Sequence, residues 1–339
     1  MSHADGINGA WRLSPGPWWV KGYKAQNRGL SPASDHAKHA ITAPLARHMR
    51  AFATPGAGVG DAELVVQYTV KHAQGDDATA QIGLSDMLKG TFCGGGYIKL
   101  LPGGVDAASF DGGSPYTLMF GPDICGYNEG KVHLIFGIPD GDGGIDQYHR
   151  REVMKLKASE TSGSDDTYFN DLTHRYTLSL RLRSGRYRVY VDGHRLAHGS
   201  LGADYDGLTP DMVRDALADT ARVGFELWMV RGGTVLDDVY VGGSLADANA
   251  RAKRQAKYHK HKAERRASEK YWKKVQDGLN EKYPRDKYVP KEGDRVVHLD
   301  EQLGEDGMSA TIRPFEDAED VEAFVDDDDL DDDDDRDEL

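Results

Sequence analysis

A chain of 339 residues with 39% hydrophobic and 9% aromatic side chains is long enough to bury a sizeable core, as one large domain or two ordinary ones. Its formal charge of -14 is concentrated: residues 315–339 hold sixteen Asp or Glu and one Arg, a net of -15, so the preceding 314 residues sum to about +1. Two cysteines exclude a disulfide scaffold, and no run approaches the roughly 20 apolar residues of a membrane-spanning helix, so no membrane span is expected.

Met1 to Ala10 is polar and Trp11 to Tyr23 is broken by prolines and glycines, so the start does not read as a signal peptide. Residues 1–17 are set aside as an N-terminus expected to be truncated. The first clear strand is Leu64–Lys71, whose β-branched residues alternate by two in the manner of a half-buried strand. Residues 75–90 read as a surface loop. The stretches Cys93-Gly94-Gly95-Gly96-Tyr97-Ile98-Lys99 and Tyr116-Thr117-Leu118-Met119-Phe120-Gly121-Pro122-Asp123-Ile124-Cys125 hold the only two cysteines, so if one bridge exists it joins Cys93 to Cys125. One pair in a chain of this size suits a secretory-pathway protein better than a zinc site, which needs about four ligands. Three consecutive glycines clear side chains from one spot, so a ligand or a second backbone can approach, and Tyr97 and Lys99 project from one face at strand spacing. The residues alone also allow a glycine-rich bulge with Tyr97 half in the core.

Val132–Phe136 is another strand. Pro139-Asp140-Gly141-Asp142-Gly143-Gly144 has the look of a calcium turn, but Arg151 stands where the bidentate acid is required, so a solvated turn is expected. Tyr176, Leu178, Leu180 and Leu182 alternate with Thr177, Ser179, Arg181 and Arg183, and Tyr187, Val189 and Val191 return after Ser184-Gly185, predicting a hairpin with one wet face. Asp211 to Ala221 reads as a short helix with Met212, Val213, Ala216 and Leu217 in apolar positions. In Gly224-Phe225-Glu226-Leu227-Trp228 an acid and a tryptophan two apart share a strand face, which suits sugar binding through carboxylate hydrogen bonds and indole stacking. By itself Trp228 reads as a core residue.

From Leu245 to about Tyr283 the pattern is helical and basic, with fourteen Lys or Arg against six Asp or Glu between Ser244 and Tyr288. No nucleic-acid motif accompanies it, so nucleic acid is not an expected partner. His259 and His261, two apart on a helix, face apart and do not make a zinc pair. Asp326–Asp335 is all acid but for Leu330 and predicts a disordered tail. Arg336-Asp337-Glu338-Leu339 reads as a retrieval signal of the KDEL type, which belongs in the endoplasmic reticulum lumen. No nucleophile elbow, zincin helix, P-loop or complete dinucleotide fingerprint occurs, so no enzyme is expected.

Taken together, residues 18–243 resemble the lectin domain of the calreticulin and calnexin family. CGGGYIKL followed by SPYTLMFGPDIC is similar to the family's C-G-G-G-Y-V-K or C-G-G-A-Y-V-K and Y-x-I-M-F-G-P-D-x-C runs at the same separation. Arg28-Gly29-Leu30 with Ala37-Lys38-His39-Ala40-Ile41 resembles K-G-L and A-K-H-H-A-I, and Leu64–Lys71 resembles L-V-V-Q-F-T-V-K. Gly224–Trp228 and Gly233-Thr234-Val235-Leu236-Asp237-Asp238 resemble G-L-E-L-W and G-T-I-F-D-N. A further strand that the family carries before Trp18 is not recognised here.

The resemblance implies an all-β fold, a concanavalin-like jelly-roll β-sandwich, and the residue pattern beyond it predicts a C-terminal basic helix over 244–289 and a disordered acidic tail over 290–339. The resemblance also implies a calcium-dependent lectin-type chaperone of the endoplasmic reticulum lumen that binds monoglucosylated high-mannose N-glycans on unfolded glycoproteins, with a KDEL-type retrieval receptor as a second partner. Glucose would be held by Tyr97, Lys99, Tyr116, Asp123 and Glu226, with apolar contact from Met119 and Trp228. Ca2+ would be held by Asp237 and by backbone carbonyls near Gln26 and Arg28, while the acidic tail, shorter than the family's, would either hold Ca2+ weakly or serve solubility alone. The family's proline-rich arm, which recruits a disulfide isomerase and a prolyl isomerase, has no room here, because only the twelve residues Asp211 to Arg222 separate Pro210 from Val223. Foldase recruitment through an arm is therefore not expected. The alternative is a lumenal calcium-buffering or unfolded-polypeptide-binding protein with a vestigial sugar site.

Overall fold

The structure is a computed structural model that describes residues 6–13, 29–46, 62–72, 93–125, 130–156, 173–230 and 234–255. The loop expected at 75–90, the basic helix beyond Gln255 and the acidic tail lie outside the described residues.

The alternating segments become strands β1 (Gly6–Asn8), β2 (Trp11–Leu13), β3 (Leu30–Pro32), β4 (Ala37–Pro44), β5 (Glu63–Lys71), β6 (Cys93–Gly95), β7 (Ile98–Pro102) and β8 (Leu118–Cys125). There follow β9 (Gly130–Pro139), β10 (Ile145–His149), β11 (Met154–Lys155), β12 (Thr173–Arg181), β13 (Arg186–Val191) and β14 (His194–Ser200). Two short helices, α1 (Leu201–Asp204) and α2 (Pro210–Ala218), lead into β15 (Thr220–Met229) and β16 (Val235–Gly242), and α3 (Leu245–Gln255) closes the described part.

One antiparallel sheet runs β1-β4-β15-β6-β8-β9-β10, with β7 paired to β15 and β8 and β11 paired to β9. The other runs β14-β13-β12-β5-β16-β3-β2. Facing side chains, Ile98, Leu100, Phe120, Phe136 and Phe225 from the first sheet and Leu64, Val66, Tyr68, Tyr176 and Val189 from the second, fill the space between them. Each such burial contributes about 1.5–3 kcal/mol, so the expected β-sandwich follows from the alternation alone.

Two strands differ from their sequence reading. β5 is buried on both faces rather than half-buried, because it lies between β12 and β16 with the core on one side and α3 on the other, where Gln67 Nε2 donates to Ala248 O at 3.0 Å. The predicted hairpin is present, pairing Tyr176 with Val191 and Leu178 with Val189. Its polar face is only partly wet. Thr177 and Ser179 are buried, their hydroxyls donating to Gln67 Oε1 at 3.0 Å and Glu63 Oε1 at 2.6 Å, while Arg186 and Arg188 stay exposed.

The short helix before β15 is α2, which begins at Pro210 under a cap from Thr209, whose hydroxyl accepts from Met212 N at 3.3 Å. It stops at Ala218, three residues earlier than the apolar spacing suggests, because Thr220 already belongs to β15. Residues 6–13, which precede the first strand clear from the sequence, nonetheless form two short strands against β4 and β3. The turn at Asp140 is exposed, with Asp140 Oδ1 accepting from Asp142 N and Gly144 N, both at 2.9 Å. A carboxylate already satisfied by backbone N–H groups is the solvated turn expected.

In the β6–β8 register Cys93 stands directly opposite Cys125. Opposed residues of antiparallel strands have Cα atoms about 4.5–5.5 Å apart, within the roughly 4.4–6.8 Å that a disulfide spans. The expected outcome is that thiol alkylation labels neither cysteine before reduction and both after it, read by intact mass, and that reduction costs about 3–4 kcal/mol for a loop of about 32 residues. Two labelled thiols without reductant would overturn the bridge.

Candidate functional site

Because Ile98, Leu100, Phe120, Phe225 and Leu227 point into the core, Lys99, Met119, Glu226 and Trp228 emerge on the opposite, outer face of the first sheet. Lys99 is paired with Gly224 on one side and Met119 on the other. The loop from Gly103 to Pro115 folds back over this face and is pinned by Phe110, which packs with Ala40, Leu101, Tyr116 and Ile135 in a second apolar cluster. Gly224 makes room for it, since a Cβ there would lie 2.8 Å from the Phe110 ring.

Under this loop Lys99 Nζ donates to Glu226 Oε2 at 3.0 Å, with the two side chains only 5% and 10% exposed. The same ammonium lies 5.1 Å from the centre of the Tyr116 ring. Gly112 comes so close to Glu226 that a Cβ would stand 3.1 Å from Oε1. Burial pushes the Tyr116 phenol up to about 12. Burial also raises Tyr97, reinforced by the carboxylates of Glu226 and Asp123. Both phenols keep their protons at any physiological pH and can donate as well as accept.

Two of the three glycines, Gly95 and Gly96, serve a purpose different from the one their composition suggests. A Cβ on Gly95 would sit 2.5 Å from Tyr97 Cε1, and one on Gly96 would strike Val70 Cγ1 at 2.8 Å and Pro122 Cγ at 3.1 Å. The cleared space is thus taken by the Tyr97 ring and by the core. Tyr97 is half-buried, edge-on to His133 with ring centres 6.2 Å apart.

His133 and Lys131 are the site residues that the sequence did not single out. His133 Nε2 donates to Asp123 Oδ2 at 3.0 Å, and Lys131 Nζ lies 3.8 Å from the same oxygen. Burial alone would raise the Asp123 carboxyl, but the hydrogen bond and charge of His133, with Lys131 adding to them, hold it below its ordinary value. The alternation Lys131-Val132-His133-Leu134 does put both side chains on one strand face, but only the β8–β9 pairing brings them to Asp123.

The structure therefore gathers Tyr97, Lys99, Tyr116, Met119, Asp123 and Glu226 on one outer face. Trp228 shares the parity of Glu226 on β15 and is 45% exposed, so it is a surface residue rather than a core one. Asp237 lies in the other sheet, on β16, where its Oδ1 accepts from Asp238 N at 2.8 Å. Gly29 packs against it, a Cβ there falling 3.3 Å from Asp237 Cβ. Gln26 and Arg28 lie outside the described residues, and among the described residues no three His, Cys, Asp or Glu cluster closely enough to hold a metal. One carboxylate with backbone carbonyls is a hard oxygen set of the kind calcium accepts, completed by water.

A family model described as the calreticulin family matches residues 3–221. Calreticulin of Rattus norvegicus is 34% identical over 207 residues, 61% of this chain and 39% of that protein. Calreticulin of Chlamydomonas reinhardtii is 33% identical over 217 residues, 63% of this chain and 42% of that protein. The chain thus matches about two-fifths of the length of these curated relatives. Among solved structures, the T. cruzi calreticulin globular domain superposes with a TM-score of 0.54 at 27% identity, covering 80% of this chain and 92% of that domain.

The lowered Asp123 carboxyl fixes a pH dependence. A carboxyl that ionises more readily folded than unfolded contributes stability in full above its unfolded value, about 3.9, and loses it as pH falls through the folded value. In urea denaturation between pH 3 and 7, the stability difference between wild type and Asp123→Asn is expected to be constant near neutrality and to shrink below about pH 4. Parallel curves across that range would show that the His133 contact does not stabilise the ionised form.

Proposed function

The chain belongs to the calreticulin family, and from that premise we propose that it is a calcium-dependent lectin-type chaperone of the endoplasmic reticulum lumen, binding monoglucosylated high-mannose N-glycans on unfolded glycoproteins. What carries the reading is the convergence of Tyr97, Lys99, Tyr116, Asp123 and Glu226 on one outer sheet face. A hexose offers several hydroxyls that each donate and accept. Two carboxylates supply acceptors, an ammonium and two protonated phenols supply donors, and Met119 and exposed Trp228 supply apolar surface for the ring. All of these groups bind and orient, so the protein is read as a lectin rather than an enzyme. Arg336–Leu339 would be recognised by a KDEL-type retrieval receptor.

Calcium enters through Asp237, with the carbonyls of Gln26 and Arg28 as the further protein ligands. The ion would neutralise that carboxylate and stabilise the fold in which it sits. Foldase recruitment is not part of the proposal. α2 passes to β15 through Asp219 alone, and all residues from 173 to 230 are described, with no projecting arm between them.

On a glycan array, wild type is expected to bind monoglucosylated high-mannose chains, and Tyr97→Phe and Asp123→Ala each to lose about 1–3 kcal/mol per broken hydrogen bond, roughly 5- to 150-fold in affinity. Unchanged glycan binding in both variants would sink the assignment. Loss of glycan recognition by wild type itself, with calcium binding retained, would favour the calcium-buffering reading. Separately, calcium at about 100 times its dissociation constant is expected to stabilise wild type by about 2.7 kcal/mol in thermal melts and to leave Asp237→Asn unmoved. An equal shift in the variant would place the ion elsewhere.

A further inference from the structure

The second sheet's outer face carries a feature that sugar recognition does not use. α3 is fastened there by buried Ala248 and Ala252, by the Gln67–Ala248 hydrogen bond and by the Arg251 guanidinium, 5.6 Å from the centre of the Tyr240 ring. Between α3 and strands β12 and β13 a cavity of about 430 Å³ remains, with Arg175, Thr177 and Tyr190 on its sheet wall and Leu245, Asn249 and Lys253 on its helix wall. That is large enough for a small organic ligand.

The lining of this cavity carries two cations, Arg175 and Lys253, and the nearby Glu63 is already engaged by Leu245 N at 3.3 Å and by Arg181 at 3.8 Å. Residues 173–200, which make β12, β13, β14 and their turns, contain six Arg, no Lys, no Glu and a single Asp. That aspartate, Asp192, is engaged by His174 Nδ1 at 2.6 Å and by Arg175 N at 2.8 Å. No described residue lining the cavity is acidic. Register puts Arg195 opposite Tyr190, and Arg188 lies two residues along the same strand face. Guanidinium forks match the paired oxygens of phosphate and sulfate better than those of a neutral sugar, and a cationic field of this kind raises the local concentration of anions before they dock. Arg175 and Tyr190 on the sheet and Lys253 on the helix line the same cavity, so an anion entering it is faced by cations of both elements.

We propose that the cavity between α3 and β12–β13 is a binding site for a small polyanion bearing phosphate or sulfate groups, separate from the sugar-binding face. Calorimetry with inorganic tripolyphosphate on the full chain tests it. Saturable binding at one site per chain is expected, displaced competitively by inorganic sulfate and weakened as salt rises. Lys253→Glu and Asn249→Asp, both at exposed helix positions, are expected to weaken it tenfold or more. Lys38→Glu, the same charge change at an exposed position of β4 in the other sheet, is expected to leave it within twofold. Absence of saturable binding, or equal weakening by Lys38→Glu, would overturn the site in favour of diffuse charge attraction.

Discussion

The constraint on which the outer sheet face depends is the buried ion pair of Lys99 and Glu226. Neither charge could be buried alone without a cost of several kcal/mol, so the two must meet, and they meet only if β7 and β15 keep a single register. A one-residue slip of either strand would turn its charge into the core and its core residue out to solvent. The loop that carries Phe110 and Gly112 then closes over the pair and restricts its access to water, which strengthens the attraction between the charges and fixes where they point. Polar recognition on this face is thus preorganised by an interaction that the fold already requires.

The floor of the site is held from behind as well. Tyr68, fully buried in the opposite sheet, places its hydroxyl 2.7 Å from Gly96 O, in the link between β6 and β7 that bears Tyr97, and 2.9 Å from Phe120 O on β8, the strand that bears Asp123. Gly121, at φ +133°, is what lets it approach, because a Cβ there would lie within bonding range of the phenolic oxygen. The glycines at 95, 96 and 121 therefore act as one device. Gly95 leaves room for the Tyr97 ring, Gly96 for Val70 and Pro122, and Gly121 for the Tyr68 hydroxyl.

Much of this was legible in the sequence, and the gaps have physical causes. Alternation by two marked the strands and put Tyr97 with Lys99, and Glu226 with Trp228, on shared faces, because strand parity is a local property. The local part of what the glycines clear space for, the Tyr97 ring beside Gly95, was within reach of the sequence, but the part played by Gly96 and Gly121 was not, since Val70 and Tyr68 lie at least 25 residues upstream. His133 escaped for the same reason: its parity is written in β9, but its partner is set by sheet order. The double burial of β5 and the covered hydroxyls of Thr177 and Ser179 depend on α3, which packs there from a distant part of the chain. For the calcium ligands the sequence supplied names by resemblance, and Asp237 is the one whose side chain lies among the described residues.

The segment between β14 and β15 shows how a sandwich of this kind can lack a projecting arm without leaving a gap. Leu201, Tyr205, Leu208, Val213 and Leu217 all enter the main core, and the Tyr205 hydroxyl donates to Leu134 O at 3.0 Å while its ring meets Phe136 edge-on. Asp204 accepts from the Tyr187 hydroxyl at 2.6 Å and from Ser200 N at 3.0 Å, which anchors the start of the segment to β13 and β14. Thr209 and Pro210 then open α2, which ends one residue short of β15. A chain crossing these positions cannot be lengthened into an arm without withdrawing several buried side chains, each about 1.5–3 kcal/mol, unless the insertion falls in the exposed turn at Asp206 and Gly207. The short connection is therefore part of what closes the core, and the outer face carrying Lys99 and Glu226 is built complete without an arm.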